Sequence, residues 1–159
     1  MMPAVSLELI KKAEIFTDLS EKELAEIAAL ARPAAFLKGD VIIKEGQVGD
    51  RLYFIDSGTV EIGLFDSLAR FLPFTRLTAG QILGELAFLD GGPRSASAVA
   101  IDAVTTTAIS REDMGRVLEK NHVMAIKIYK RMLKGLAERL REMNAGIRML
   151  MGNLRRSNF

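Results

Sequence analysis

The residues best suited to chemistry lie in one stretch, Gly84-Glu85-Leu86-Ala87-Phe88-Leu89-Asp90-Gly91-Gly92-Pro93-Arg94-Ser95-Ala96. It opens with a glycine and a carboxylate, runs through apolar helix formers, and closes in a Gly-Gly-Pro loop ending in Arg-Ser. Gly84 permits close approach of the backbone to a ligand, and the turn after it offers N–H groups of the kind that favour an anion. The Arg94 guanidinium is a bidentate cation suited to phosphate, and the Ser95 hydroxyl adds a neutral donor. Glu85 is a poor neighbour for phosphate but a good acceptor for a sugar hydroxyl. An anion site beside a hydroxyl acceptor suits a sugar phosphate.

Composition removes most competing chemistries. The 159 residues include no cysteine and one histidine, His122. Disulfides, Cys-ligated zinc, iron–sulfur clusters, thiol catalysis and multi-histidine metal sites are excluded, and a Ser-His-Asp hydrolase is not expected. His122 follows Asn121 with no acidic or histidine neighbour, which marks a surface or helix-start residue. Asp90 has no second carboxylate spaced to act with it as an acid–base pair. The expectation is a protein that is not an enzyme and needs no metal or cofactor. No apolar run is long enough to span a bilayer, and the start, MMPAVSLELIKK, lacks the regions of a signal peptide. A cytoplasmic protein without membrane contact is the default.

The elements that must position the segment are legible in the spacing. Ser20 and Glu23 form a capping box ahead of Leu24, Ile27, Ala28 and Ala31, and Arg32-Pro33 ends that helix. From Ala34 to Ile109, short apolar runs (AAFL, VIIK, RLYFI, TVEIGLF, RFLPFTRL, SASAVAI, VTTTAI) alternate with turn residues. This spacing predicts an antiparallel β-sandwich or barrel, and a jelly roll leaves the fewest exposed edges. Ser110 and Asp113 then stand at N-cap and N3 of a short helix, and Asn121 can cap a second, long one. Residues 1–121 are thus expected to form a β-barrel with N-terminal helices, and residues 122–159 a C-terminal helix and tail. The fold class is mainly β with flanking helices.

Along the long helix, Ile126, Tyr129, Leu133, Leu136, Leu140, Met143, Ile147, Leu150 and Leu154 recur at alternating three- and four-residue steps. That is a heptad seam, which predicts a homodimer through Ile126 to Leu154. The tail from Gly152 is expected to fray. Charge divides where the strands give way to helices: residues 1–110 carry 10 Lys+Arg against 15 Asp+Glu, and residues 111–159 carry 12 against 5. The basic residues Lys127, Lys130, Arg131, Lys134, Arg139, Arg141 and Arg148 read as a solvated face, with an acidic partner, another domain or nucleic acid as the minority alternative.

The segment 84–96 resembles the phosphate-binding cassette of the cyclic nucleotide-binding domain family, which includes bacterial catabolite activators, protein kinase A regulatory subunits and cyclic nucleotide-gated channels. Gly84, Glu85, Leu86 and Ala87 match the first half of that cassette, and Arg94, Ser95 and Ala96 match the second. The upstream run IFTDLSEKELAEIA, Gly39-Asp40, Glu45-Gly46 and LYFIDSGTVEI are also similar to the family, so the likeness covers nearly the whole chain. The residue before Gly84 is often aromatic in the family and is Leu83 here.

The resemblance implies that Glu85 accepts the ribose 2′-hydroxyl and that Arg94 pairs with the cyclic phosphate. Backbone N–H groups near Leu86 and Ala87, with the Ser95 hydroxyl, would complete the phosphate contacts. It further implies a sensor in which the turn carrying Leu86, Phe88 and Leu89 repacks and the C-terminal helix moves over the base. Arg139, Leu140 and Met143 are the candidates for that lid. The ligand expected is cyclic AMP in preference to cyclic GMP. Family transcription factors carry a helix-turn-helix after this helix; about five residues follow Leu154 here, so direct DNA reading is not expected of this chain. The alternatives are a ligand-free structural dimerisation domain or a fragment of a longer transcription regulator or channel.

Overall fold

A computed structural model describes residues 7–156, with side chains through Leu154. The first six residues, where a leader was discounted, and the last three of the tail lie outside the described residues. The chain begins with α1 (Leu7–Lys12), a 3-10 turn (Glu14–Phe16) and α2 (Glu21–Leu30). The capping box holds as expected: Ser20 N donates to Glu23 Oε2 at 2.8 Å and Glu23 N to Ser20 Oγ at 3.3 Å.

Eight strands follow: β1 (Arg32–Phe36), β2 (Val41–Ile43), β3 (Arg51–Ser57), β4 (Val60–Phe65), β5 (Phe71–Leu77), β6 (Ile82–Leu83), β7 (Ser97–Ala100) and β8 (Val104–Ser110). They form two antiparallel four-stranded sheets, β1-β8-β3-β6 and β2-β7-β4-β5. Pro33 is tolerated because β1 lies at the edge of its sheet. The Thr-rich, β-branched β8 is central, pairing with β1 on one side and β3 on the other. The two-residue β6 is the one strand that the run pattern did not separate; it is too short for alternation to be visible. It pairs Leu83 with Tyr53 and Ile82 with Phe54, and so delivers Gly84 to the start of β3.

Between β6 and β7 lies α3 (Glu85–Asp90), and after β8 come α4 (Arg111–Lys120) and α5 (His122–Arg156). Their caps are those expected: Asp113 N donates to Ser110 Oγ at 3.1 Å, and Met124 N to Asn121 Oδ1 at 3.0 Å. His122 is the first residue of α5 and exposed. The helix runs on through Gly152 to Arg156, so the expected fraying at Gly152 does not occur there.

Two apolar cores result. One fills the space between the sheets with Ile42, Ile43, Ile55, Val60, Leu77, Leu83, Ala98, Ala100 and Val104. The other joins the helices to the outer face of β3 and β8, where Leu52, Phe54 and Ile109 meet Phe16, Ile27, Met114 and Leu118. Strand β3 is therefore covered on both faces, which is why RLYFI reads as an unbroken apolar run. The second core also takes Met124, Ala125, Ile128 and Met132 from α5 and Phe88 from α3. The face of α5 that packs on the domain is thus distinct from the heptad seam. Ile126, Leu133, Leu140, Met143, Ile147, Leu150 and Leu154 are 51–66% exposed. No described helix is long and apolar enough to cross a membrane.

Candidate functional site

The segment 84–96 folds as a short helix framed by two left-handed glycines, Gly84 at φ 83° and Gly91 at φ 70°. A side chain at either position would be strained by its φ. Gly84 also has no room: a Cβ there would run into Arg94 Nη1. The second half of the segment is held by the turn before β3. Arg94 N donates to Gln47 O at 2.8 Å, and Gly46 N donates to Arg94 O at 2.9 Å. Val48 and Pro93 form an isolated bridge alongside.

Arg94 is the centre of this arrangement. It is 7% exposed. Its Nη1 donates to Gly84 O at 3.2 Å and its Nη2 to Arg51 O at 2.7 Å. The guanidinium lies in a cradle between Gly84 and Gly49, where a Cβ on Gly49 would overlap Ala87 Cβ and stand 3.0 Å from Arg94 Nε. Burial pushes the Arg94 pKa down from its ordinary value, while Tyr53, Asp50 and Glu85 pull it up. Among the described residues it has no carboxylate within ion-pairing distance. A buried cation bonded only to neutral carbonyls is a site that an incoming anion would complete.

Glu85 is buried at 4% exposure, and its Oε1 accepts from Arg139 Nη1 of α5. One residue of the expected ligand site thus touches one residue of the expected lid. Leu140 and Met143, the other two lid candidates, are exposed on the seam side of α5. Ala87 is buried, Ala96 half-buried and Leu86 44% exposed, while Ser95 is exposed with no hydrogen bond to any described residue. Asp90 is occupied locally, its Oδ1 accepting from Gly92 N at 2.7 Å. The spacing of the segment therefore brings Gly84, Glu85, Ala87 and Arg94 into one locus. It leaves Ser95 and Leu86 on its open side.

Gly49, the Arg51 carbonyl and Arg111, whose Nε donates to Phe88 O at 2.9 Å, also belong to the site, and the sequence did not single them out. Gly49 lies in the turn ahead of β3, where a glycine is ordinary, and the role of Arg51 lies in its carbonyl, which no side-chain pattern reports. The basic face of α5 also needs correcting. Lys127 Nζ pairs with Glu23 at 2.8 Å, and Arg131 forms a bidentate pair with Asp18, each bond 2.6 Å. With Arg139 on Glu85, three of the seven supposedly solvated cations hold carboxylates of the acidic half of the same chain. Asp18 and Glu23 are held below the ordinary carboxylate range, chiefly by these hydrogen bonds.

The chain thus presents two antiparallel sheets that carry a glycine-framed helix, a buried arginine with no ion pair among the described residues, and a long C-terminal helix. The model of the cyclic nucleotide-binding domain matches residues 33–121, and this chain belongs to that family. It is 31% identical over 137 residues to the CRP-like cAMP-activated global transcriptional regulator of Mycobacterium tuberculosis, covering 86% of this chain and 59% of that protein. It is 30% identical over 111 residues to the cAMP-dependent protein kinase regulatory subunit of Debaryomyces hansenii, covering 70% of this chain and 24% of that protein. Among solved structures, a cyclic nucleotide-binding domain from Methylobacillus flagellatus is similar at a TM-score of 0.74 and 29% identity, covering 86% of this chain and 76% of that one. The Thermus thermophilus catabolite activator protein is similar at 0.72 and 27%, covering 87% and 63%. The chain spans about three fifths of the mycobacterial regulator and a quarter of the kinase subunit.

Proposed function

We propose that this domain senses a cyclic nucleotide, takes cyclic AMP in preference to cyclic GMP, and relays its binding through α5 without catalysing a reaction. The observation that carries the reading is Arg94, buried without a counter-ion among the described residues in a cradle that two glycines keep open. A cyclic phosphate supplies the missing charge in the planar geometry that a guanidinium recognises. Backbone N–H groups near Leu86 and Ala87 and the exposed Ser95 hydroxyl are available on the same side. Glu85 would accept the ribose 2′-hydroxyl, and for that it must share or exchange its bond with Arg139. Ligand entry at the cassette is thereby coupled to α5. Phe88 supports the same route, since it shares a core with Met124, Ile128 and Met132. The preference for adenine rests on the names of the mycobacterial and yeast relatives.

The same reading includes a parallel two-fold dimer. The seam on α5 lies outside the domain's own core, and a continuous exposed apolar stripe of this length is rare on a monomer. The barrels would then flank paired helices. A specific contact favours a second reading: Arg139 already engages the Glu85 carboxylate without any ligand, as it would in a structural dimerisation domain that binds none. Isothermal titration with cyclic AMP and cyclic GMP separates the two. Saturable one-to-one binding per chain supports sensing, and no heat with either nucleotide leaves the structural reading.

A further inference from the structure

We infer that Arg111, the first residue of α4, is a positioning residue that clamps the far end of the cassette helix and passes its movement to α4 and α5. The inference rests on the sensing function proposed above. Helix α3 has six residues, so its last carbonyls depend on donors from outside the helix. Gly91 N serves Ala87 O at 3.0 Å. The next carbonyl, Phe88 O, accepts from Arg111 Nε at 2.9 Å. A cation at a helix C-terminus also meets the negative end of the helix dipole.

Gly91 makes room for this contact. A Cβ at that position would stand 3.0 Å from Arg111 Nη2 and 3.3 Å from its Cζ. The backbone of Arg111 is fixed as well, with its N–H donating to Asp50 O at 2.8 Å. The next carbonyl along, Arg51 O, accepts from Arg94 Nη2. Two arginines therefore hold the two ends of α3, Arg94 at Gly84 O and Arg111 at Phe88 O. Both are referred to consecutive residues at the start of β3, Asp50 and Arg51. A phosphate that draws Arg94 off Gly84 O releases the first end of α3 while Arg111 still holds the second. Movement of α3 then has to go with α4, whose Met114 and Leu118 share a core with Phe88 and the first half of α5.

The test uses the full chain with Arg111→Met and Arg111→Lys. Because Arg111 is itself exposed, neither change should unfold the domain. Amide hydrogen exchange is followed at Phe88 and Gly91, in α4, and in β8 as an internal reference, first without ligand and then with cyclic AMP. In ligand-free Arg111→Met, the Phe88 and Gly91 amides should exchange about three- to tenfold faster than wild type relative to β8, the scale of one ordinary net hydrogen bond made by an exposed side chain. Arg111→Lys, which keeps a charged donor, should stay within about twofold. With cyclic AMP bound, the change in α4 exchange seen in wild type should fall by at least half in Arg111→Met. Unchanged α3 exchange in the methionine variant overturns the clamp, and an undiminished α4 response overturns the transmission. A wild-type chain that binds no cyclic nucleotide overturns sensing and transmission together, whereas the ligand-free exchange still decides whether the clamp exists.

Discussion

Replacing Arg94 with alanine is the sharpest perturbation of the proposed site. The guanidinium is buried, and it donates at 3.2 Å to Gly84 O and 2.7 Å to Arg51 O. Truncating a buried, hydrogen-bonded charge partner typically costs about 2–5 kcal/mol of binding energy, or roughly 30- to 4,000-fold in affinity. The ligand-free fold should lose much less. Two bonds from a charged donor contribute about 1.5–3 kcal/mol each. Much of that is offset by relieving the burial that depresses the arginine's pKa, leaving a net loss of about 1–2 kcal/mol. Arg94→Lys keeps the charge but loses the fork, so its affinity should fall between the two. Calorimetry gives the affinity directly, and melting curves provide an independent measure. Ligand at 100 times the wild-type Kd should stabilise wild type by about 2.7 kcal/mol, worth about 5–11 °C in a domain of this size. Arg94→Ala should keep at most about a third of that rise. An alanine variant that binds cyclic AMP within threefold of wild type and melts with the same ligand-induced rise would refute the assignment of Arg94 to the phosphate.

Glu85→Gln should weaken cyclic AMP about tenfold, the scale of one charge-assisted hydrogen bond, whereas a 2′-deoxy analogue should bind variant and wild type alike; an equal loss with the analogue removes Glu85 from the ribose. Leu140→Lys combined with Ile147→Lys should give a folded monomer with unchanged circular dichroism from the barrel. Light scattering reads the mass, and a wild-type chain that is already monomeric at micromolar concentration would end the dimer reading. Acid should loosen α5 from the N-terminal helices. Asp18 and Glu23 have depressed pKa values in the folded state, so their contribution is complete above the ordinary carboxylate range and disappears as the pH falls through and below it. Amide exchange in the first half of α5 should rise over that interval, and Arg131→Gln with Lys127→Gln should flatten the dependence; an identical profile in the double variant would mean these pairs do not hold the helix.

Much of the architecture was legible because it is local. The Ser20–Glu23 box and the Ser110 and Asn121 caps each join residues three apart, and the break at Pro33 acts on its immediate neighbour. Strand identity came from runs of β-branched and aromatic residues, and those runs survive in seven of the eight strands. The exception, β6, is two residues long and exists because β3 offers it a partner. On α5 the seam was visible as a heptad, yet the stripe of Met124, Ile128 and Met132 that actually packs on the domain was not separated from it. A helix with two apolar faces gives one sequence signal, and only the position of the neighbouring sheet says which face is inward.

By itself the sequence determined the identity and order of the groups at the site: a glycine, a carboxylate, a short apolar helix, and an arginine after a Gly-Gly-Pro loop. Bond geometry and spacing suffice for that, since Gly84 to Ala96 is continuous chain. Tertiary structure alone decided what those groups touch. Arg94 is bonded to Arg51 O and seated against Gly49, Glu85 is met by Arg139 from 54 residues away, and Phe88 O is held by Arg111. Each of these contacts is a side chain meeting a backbone atom or a charge from a distant element. Such contacts leave no periodicity in the sequence, because they depend on where the two sheets bring their turns together. The same closure folds the basic C-terminal helix back onto carboxylates of the acidic half, so a charge imbalance that read as solvated surface becomes in part the chain's own internal pairing.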